Sequence, residues 1–307
     1  MVSLRARLLN LMLRSIFKPR AQQLFRTNPP ITEELRHQLM ETVLVAPKTP
    51  SDVSIETLSG GKINGEWVST TSSRPNRAIL FFHGGGYVMG ASEQHRDFNW
   101  RLAKVSGAKV FSVDYRLAPE HPFPAALQDA LAAWQWLLEQ GFNPENIIIS
   151  GDSAGGGLSL ATMLSLRDAG SPLPAAAALF SPWTDLSISG ESADFNSRYD
   201  PFTIPRIISL MAVAYTGNDI DLRHPLVSPL FGDLTGMPPL CLHVGSTEVL
   251  LSDSTRLAEK AEAANVNVML KVWHAMPHIF HLCACCLPEG RKVIEEVGAF
   301  AHAHFGE

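Results

Sequence analysis

The segment Gly151-Asp152-Ser153-Ala154-Gly155 constrains this chain more than any other, because of what flanks it. Before it runs Asn146-Ile147-Ile148-Ile149-Ser150, a short apolar run that reads as a buried strand. After it, residues 156–164 are rich in alanine and leucine and read as a helix. Small residues around a serine permit a turn so tight that the hydroxyl stands clear of the backbone. The helix that follows aims its positive end at the same point, where negative charge would develop. A G-x-S-x-G between a strand and a helix is a nucleophile elbow, and it points to a serine hydrolase.

A serine hydroxyl is a weak nucleophile until a base takes its proton and an acid holds that base in the useful tautomer. On a sheet of this kind those partners follow in the order serine, acid, histidine. The apolar strand Leu240–Val244 leads into Gly245-Ser246-Thr247-Glu248, which places Glu248 in a loop just past a strand end. The strand Val266–Val272 leads into Trp273-His274-Ala275-Met276-Pro277-His278, which places His278 likewise. Ser153, Glu248 and His278 are therefore expected to converge at one sheet edge. His274 and His281 are the rival bases, and Asp253 is the rival acid. Upstream, the strand Ala78–Phe82 runs into His83-Gly84-Gly85-Gly86-Tyr87. Consecutive glycines leave backbone N–H groups open to an oxyanion, and Gly84, Gly85 and Ala154 are the expected donors. His83 is expected to anchor that loop.

Composition narrows the class. Of 307 residues, 46% are hydrophobic and 18% charged, which is globular rather than disordered. A net charge of −5 argues against nucleic acid as a partner. Cys241 lies in an apolar run, and Cys283, Cys285 and Cys286 crowd together without the paired spacing of a zinc site. A reduced, partly buried apolar cluster, no metal and a cytoplasmic location are the expectation.

Residues 1–20 alternate apolar Leu4, Leu8, Leu11, Met12, Ile16 and Phe17 with Arg5, Arg7, Arg14, Lys18 and Arg20. Those charges interrupt any span long enough to cross a bilayer, so no stable membrane insertion is expected. A helix packed over the rest of the protein is the favoured reading, and a basic amphipathic helix touching a membrane surface is the alternative. Thr32 followed by Glu33 and Glu34 marks a second helix start, with Leu35, Leu39, Met40 and Val43 on its apolar side.

From Val53 onward strands appear at Val53–Leu58, Ile63–Val68, Ala78–Phe82, Lys109–Val113, around Ile147 and at Ala175–Phe180. Leu240–Val244 and Val266–Val272 follow. Helices are expected at Pro124–Leu138, after the elbow, at Thr255–Ala264 and from about Glu289 to Ala303. That alternation predicts an α/β fold, a mostly parallel sheet with helices on both faces. Residues 1–45 and 185–222 break the rhythm and are expected to form a cap, the second around the apolar run Ile204–Tyr215. The core would comprise 46–184 and 223–307. Tyr87, Asp152, Phe25, Ile204, Ile208 and Met211 are the expected pocket residues.

With these residues in hand, the chain resembles the hormone-sensitive-lipase family of α/β-hydrolases, in its microbial esterase branch, over roughly residues 78–305. The likeness rests on His83-Gly84-Gly85-Gly86-Tyr87, on Asp114-Tyr115-Arg116-Leu117-Ala118-Pro119-Glu120-His121-Pro122-Phe123-Pro124-Ala125, and on Gly151-Asp152-Ser153-Ala154-Gly155. Ser181-Pro182-Trp183-Thr184-Asp185-Leu186 and His224-Pro225-Leu226-Val227-Ser228-Pro229 resemble stretches that bracket the family's second cap segment. Glu248-Val249-Leu250 falls where many members carry Asp-Pro-Leu, and His278-Ile279-Phe280 falls on the family's catalytic histidine block. Asp114, Arg116 and Glu120 are expected to fix the loop beneath the site. The resemblance implies an eight-stranded core, a helical cap, no cofactor and often a homodimer.

The expected function is hydrolysis of carboxylic esters with short to medium acyl chains through an acyl-enzyme on Ser153. A small-molecule ester is the expected partner. Lactone hydrolysis on the same site, a non-catalytic ligand receptor on the same fold, and a surface lipase driven by the basic first helix are the alternatives.

Overall fold

A computed structural model describes residues 2–27, 30–40, 47–217 and 219–306. Val43 and the side chains of Leu39 and Met40, expected on an apolar helix face, lie outside the described residues. Helix α1 (Leu4–Met12) opens the chain, with the Ser3 hydroxyl accepting from the Ala6 amide at 3.1 Å as its cap. A wider π turn at Leu13–Phe17 joins it to α2 (Lys18–Leu24). Helix α3 (Glu33–Met40) starts where Thr32 Oγ1 accepts from the Leu35 amide.

Strands β1 (Val53–Leu58), β2 (Gly65–Thr70) and β3 (Ala78–Phe82) follow, then α4 (Arg96–Ser106), β4 (Lys109–Val113) and α5 (Ala125–Glu139). The central elements are β5 (Ile147–Asp152), α6 (Ala154–Asp168) and β6 (Ala176–Phe180). Short α7 (Ser192–Phe195) and α8 (Pro205–Thr216) occupy the 185–222 insert. The chain closes through β7 (Leu240–Gly245), α9 (Leu251–Ala263), β8 (Val268–Trp273) and α10 (Pro288–His304).

The strands form one eight-stranded sheet in the order β1-β2-β4-β3-β5-β6-β7-β8. The two pairings that involve β2 are antiparallel and the others are parallel. Alternate side chains of each strand feed opposite faces. Leu80, Phe82, Ile147 and Ile149 join the core built with α5, α6 and α9, while Ile79, Phe81 and Ile148 join the core built with α4 and α10.

Helix α4 was not foreseen. Its eleven residues are mostly polar, yet Phe98, Leu102 and Ala103 are buried, the Arg101 guanidinium pairs with Asp97 one turn back, and Gly107 caps the end at φ 63°. Val266, expected in a strand, instead closes α9, its amide donating to Ala261 O at 2.9 Å after Asn265 turns at φ 59°.

The 185–222 insert leaves and rejoins the core at one place. Ser228 Oγ accepts from the Leu186 amide at 2.7 Å, and the Leu230 amide donates to Thr184 O at 3.1 Å. The insert is also tied to the N-terminal helices: Lys18 Nζ donates to Ser197 O and Asp200 O at 2.7 Å each, and Phe17 stacks on Phe202 at 4.6 Å. Among the described residues no helix is long and apolar enough to cross a membrane.

Candidate active site

Ser153 caps the junction of β5 and α6 at φ 52° and ψ −121°, a conformation that non-glycine residues avoid and that costs about 1–3 kcal/mol. Its amide donates to Phe180 O, and its carbonyl accepts from the Trp183 amide at 2.8 Å. Gly151 and Gly155 make that turn possible. A Cβ on Gly155 would lie 1.9 Å from Phe82 O, and one on Gly151 would lie 2.4 Å from Gly155 O.

His278, from the loop after β8, places Nε2 at 2.9 Å from Ser153 Oγ. Its Nδ1 faces Glu248 Oε2 at 2.8 Å. The other carboxylate oxygen, Glu248 Oε1, accepts from the Ser181 hydroxyl at 2.7 Å and from the Gly245 amide. Glu248 is fully buried, so these bonds replace the water its carboxylate has lost. Burial alone would lower the pKa of His278. The hydrogen bond and charge of Glu248, then Asp200 and Asp152, reverse that and carry it above the ordinary histidine value. An imidazole so held accepts a proton at Nε2 and is stabilised once it has it.

The rivals lie elsewhere. His274 is exposed. His281 is buried between Phe98 and Phe180, and burial pushes it down to about 3. Asp253 Oδ2 accepts from the Thr184 and Asp185 amides at 2.7 and 2.9 Å, well occupied in holding that turn.

The glycine loop departs from expectation at one atom. The Gly84 amide donates to Asp152 Oδ1 at 2.9 Å and is not free to meet an oxyanion. Among the described residues the amides of Gly85, Gly86 and Ala154 have no protein acceptor, and Gly85 and Gly86 line the cavity over Ser153. Of the expected donors Gly84, Gly85 and Ala154, Gly84 is therefore set aside, and the amides left open are those of Gly85, Gly86 and Ala154.

Asp152 is a scaffold at that point. It is fully buried and forms an ion pair with His95, whose Nε2 lies 3.1 Å from Oδ1. Burial would raise its pKa, but the charge and hydrogen bonding of His95 hold it down at about 2. His83 Nδ1 meets Gly84 O at 2.8 Å, and its ring stacks on Tyr115, whose hydroxyl donates to His83 O at 2.7 Å. Of the three polar residues expected beneath the site, Asp114 alone reaches this loop, through the Ser92 amide and hydroxyl. Arg116 pairs with Asp129 of α5, and Glu120 pairs with Arg36 of α3.

A cavity of about 190 Å³ opens over Ser153. Asp152, Ile204, Ile208 and Met211 are on its wall as expected, with Phe17, Phe202, Trp183, Gln94 and Leu282 in addition. Two expected residues are not. Tyr87, at φ 64°, turns its ring inward onto Tyr215 at 3.8 Å, and Phe25 is buried in the core cluster behind the wall. Phe17 was legible as an apolar position of the first helix. Nothing in the sequence marked Gln94. Among the described residues no three His, Cys, Asp or Glu side chains are grouped to hold a metal. The four cysteines are free, with Cys241 buried, Cys283 half-buried, and Cys285 and Cys286 exposed, so the thiols are only partly buried, as expected.

Known proteins share this fold. The family described as alpha/beta hydrolase fold matches residues 79–282. An acetyl-hydrolase of Streptomyces hygroscopicus is 43% identical, over 84% of both chains. An esterase of Acinetobacter venetianus is 37% identical, over 87% of this chain and 88% of its own. The crystal structure of EstE5 soaked with p-nitrophenyl butyrate superposes with a TM-score of 0.90 at 40% identity, covering 99% of both chains. An esterase of the bacterial hormone-sensitive lipase family superposes at 0.88 with 37% identity over the full length of both. The chain therefore belongs to the hormone-sensitive-lipase family of α/β-hydrolases, as one of its serine esterases.

Proposed function

We propose that Ser153 hydrolyses carboxylic esters of short to medium acyl chain, with His278 as general base and Glu248 as the acid that orients it. The observation that carries this is the line Ser153 Oγ, His278 Nε2, His278 Nδ1, Glu248 Oε2, with contacts of 2.9 and 2.8 Å. His278 takes the Ser153 proton as Oγ attacks the ester carbonyl. The oxyanion that forms is met by the amides of Gly85, Gly86 and Ala154, each such donor contributing about 2.7–4 kcal/mol. His278 then returns the proton to the departing alkoxide, and the alcohol leaves. Water, deprotonated by the same imidazole, attacks the acyl-enzyme and releases the acid.

Residues 1–45 and 185–222 act as a cap over the core of 46–184 and 223–307. Its apolar wall of Ile204, Ile208, Met211, Phe17 and Phe202 suits a short acyl chain. The acetyl-hydrolase relative and the p-nitrophenyl butyrate used with EstE5 support the same range. The test is hydrolysis of p-nitrophenyl esters from acetate to palmitate. Activity is expected to peak between butyrate and octanoate and to disappear in Ser153→Ala. Undiminished turnover in Ser153→Ala sinks the assignment.

A further inference from the structure

The first helices carry two features that substrate enclosure does not use. Leu4, Leu8, Leu11 and Ile16 are 71, 57, 62 and 63% exposed, while Ala6, Leu9 and Ala21 of the same segment are buried. At about 100° per residue, Leu4, Leu8 and Leu11 lie within about 60° of one another around the helix. Ile16 would stand about 120° from Leu4 in an unbroken α-helix. The π turn at Leu13–Phe17 takes up one extra residue and returns Ile16 to within about 20° of the stripe.

The second feature is charge. Arg5, Arg7, Arg14, Lys18, Arg20 and Arg26 fall in residues 1–32, where no acidic residue occurs. All 30 acidic residues lie from Glu33 onward, in a chain whose net charge is −5. Arg5 and Arg7 flank the leucine stripe on either side, and both are exposed.

We propose that this stripe docks on an anionic lipid surface. Contiguous exposed leucines mark a contact surface, and an apolar stripe bordered by arginines matches a negatively charged headgroup layer. A second copy of the chain fits less well, because its identical cationic face would repel this one. The stripe also leads inward. A second cavity, of about 200 Å³, runs beneath the same helices from Ile16 past Leu13 and Phe17 to His278. It adjoins the first at the stacked rings of Phe17 and Phe202. Resting on the ester-hydrolase reading of Ser153, the geometry assigns this cavity as an apolar route by which an ester dissolved in the lipid layer reaches the serine.

The test separates docking from turnover. The full chain bearing Ser153→Ala is mixed with phosphatidylcholine vesicles with and without about 30% phosphatidylglycerol, and bound protein is measured by sedimentation. Binding is expected to be at least about tenfold stronger with phosphatidylglycerol and to fall in about 0.5 M salt. Leu4→Ser/Leu8→Ser/Leu11→Ser and, separately, Arg7→Glu are each expected to weaken it about tenfold. In the Ser153 background, both are expected to hydrolyse dissolved p-nitrophenyl butyrate at the wild-type rate, which also shows that they fold. Equal binding with and without phosphatidylglycerol, or unweakened binding by both variants, overturns the proposal. So does a wild-type dimer that ignores vesicles and dissociates in the triple variant, because the stripe then belongs to a second copy. A chain that binds vesicles but hydrolyses no ester keeps the surface and removes the function proposed for Ser153.

Discussion

Asp200, carried by the 185–222 insert, accepts the main-chain amide of Val249 at 2.8 Å through Oδ2, one residue beyond Glu248. Its Oδ1 accepts the amides of Phe202 and Thr203 at 2.8 and 2.9 Å. Asn196 of the same insert donates through Nδ2 to Glu248 O at 2.8 Å and to Ser246 O at 3.2 Å. The loop that presents Glu248 is thus held from the cap side as well as from the sheet. In the mechanism proposed above, Asp200 would act as a positioning residue, on His278 through the loop that carries Glu248 and through its own charge.

Replacing Asp200 by Asn should lower kcat about tenfold, since one of its two acceptor oxygens becomes a donor, a hydrogen bond from a main-chain amide is lost and the loop can drift. It should also move the pH profile. Glu248, Asp200 and Asp152 face His278 and raise its pKa against the effect of burial. His278 is a base only when neutral, so activity appears as pH rises through that raised value. Removing one negative charge lowers the value, and the acid limb of kcat/KM should shift to lower pH. A profile that keeps the wild-type limb while kcat falls would leave Asp200 with a packing role alone.

Glu248→Gln and Asp253→Asn should part company. The first leaves Nδ1 of His278 facing an amide and should lower kcat by about 10⁴-fold. The second replaces the carboxylate that accepts the Thr184 and Asp185 amides by a single weaker carbonyl acceptor, and should at most lower the melting temperature while leaving kcat within about tenfold. Comparable losses of kcat in both would undo the choice of acid.

The His95–Asp152 pair should show as a stability term with a pH window. His95 has a raised pKa, so its contribution is complete below the ordinary 6.5 and is lost as pH rises through the raised value. Asp152 is depressed, so its contribution is complete above the ordinary 3.8 and is lost as pH falls through about 2. His95→Phe strands a buried carboxylate and should cost about 3–5 kcal/mol near pH 5, measured by urea unfolding. The difference from wild type should shrink at higher pH, and a constant difference would contradict the pair.

Phe17→Ala should change selectivity. Phe17 and Phe202 stack where the two cavities meet, and removing one ring enlarges the space they share. The p-nitrophenyl ester preference should move to longer chains, with kcat/KM for octanoate rising relative to acetate. An unchanged ratio would mean that acyl chains never approach this wall.

Much of this architecture was legible in the residues. The ends of β3 fall where its apolar run stops, because a strand buried on both faces needs an unbroken run, whereas β1, at the sheet edge, was legible from the alternation of Val53, Ser54, Ile55 and Glu56. Helix α4 was hidden because Arg96, Asp97, Asn99, Arg101 and Lys104 outnumber its three buried apolar residues. Glu248 and Asp253 were both legible as candidates, five residues apart, and only the geometry separates them. The partner of the Gly84 amide could not be read at all, since Asp152 is 68 residues away and meets it through the register of β3 beside β5. The inward turn of Tyr87 depends on a positive φ that no residue type at that position announces.

The joined ends of the insert, where Ser228 meets Leu186, have an evolutionary consequence. A loop whose ends already touch can be lengthened cheaply, each doubling costing only about 0.6 kcal/mol in closure entropy. The roof of the pocket is thus a module that can be exchanged while sheet, elbow and histidine loop stay as they are. One coordinate limits that freedom: any replacement must still bring an acceptor to the Val249 amide, or the enzyme gains a new specificity and loses the footing of its acid.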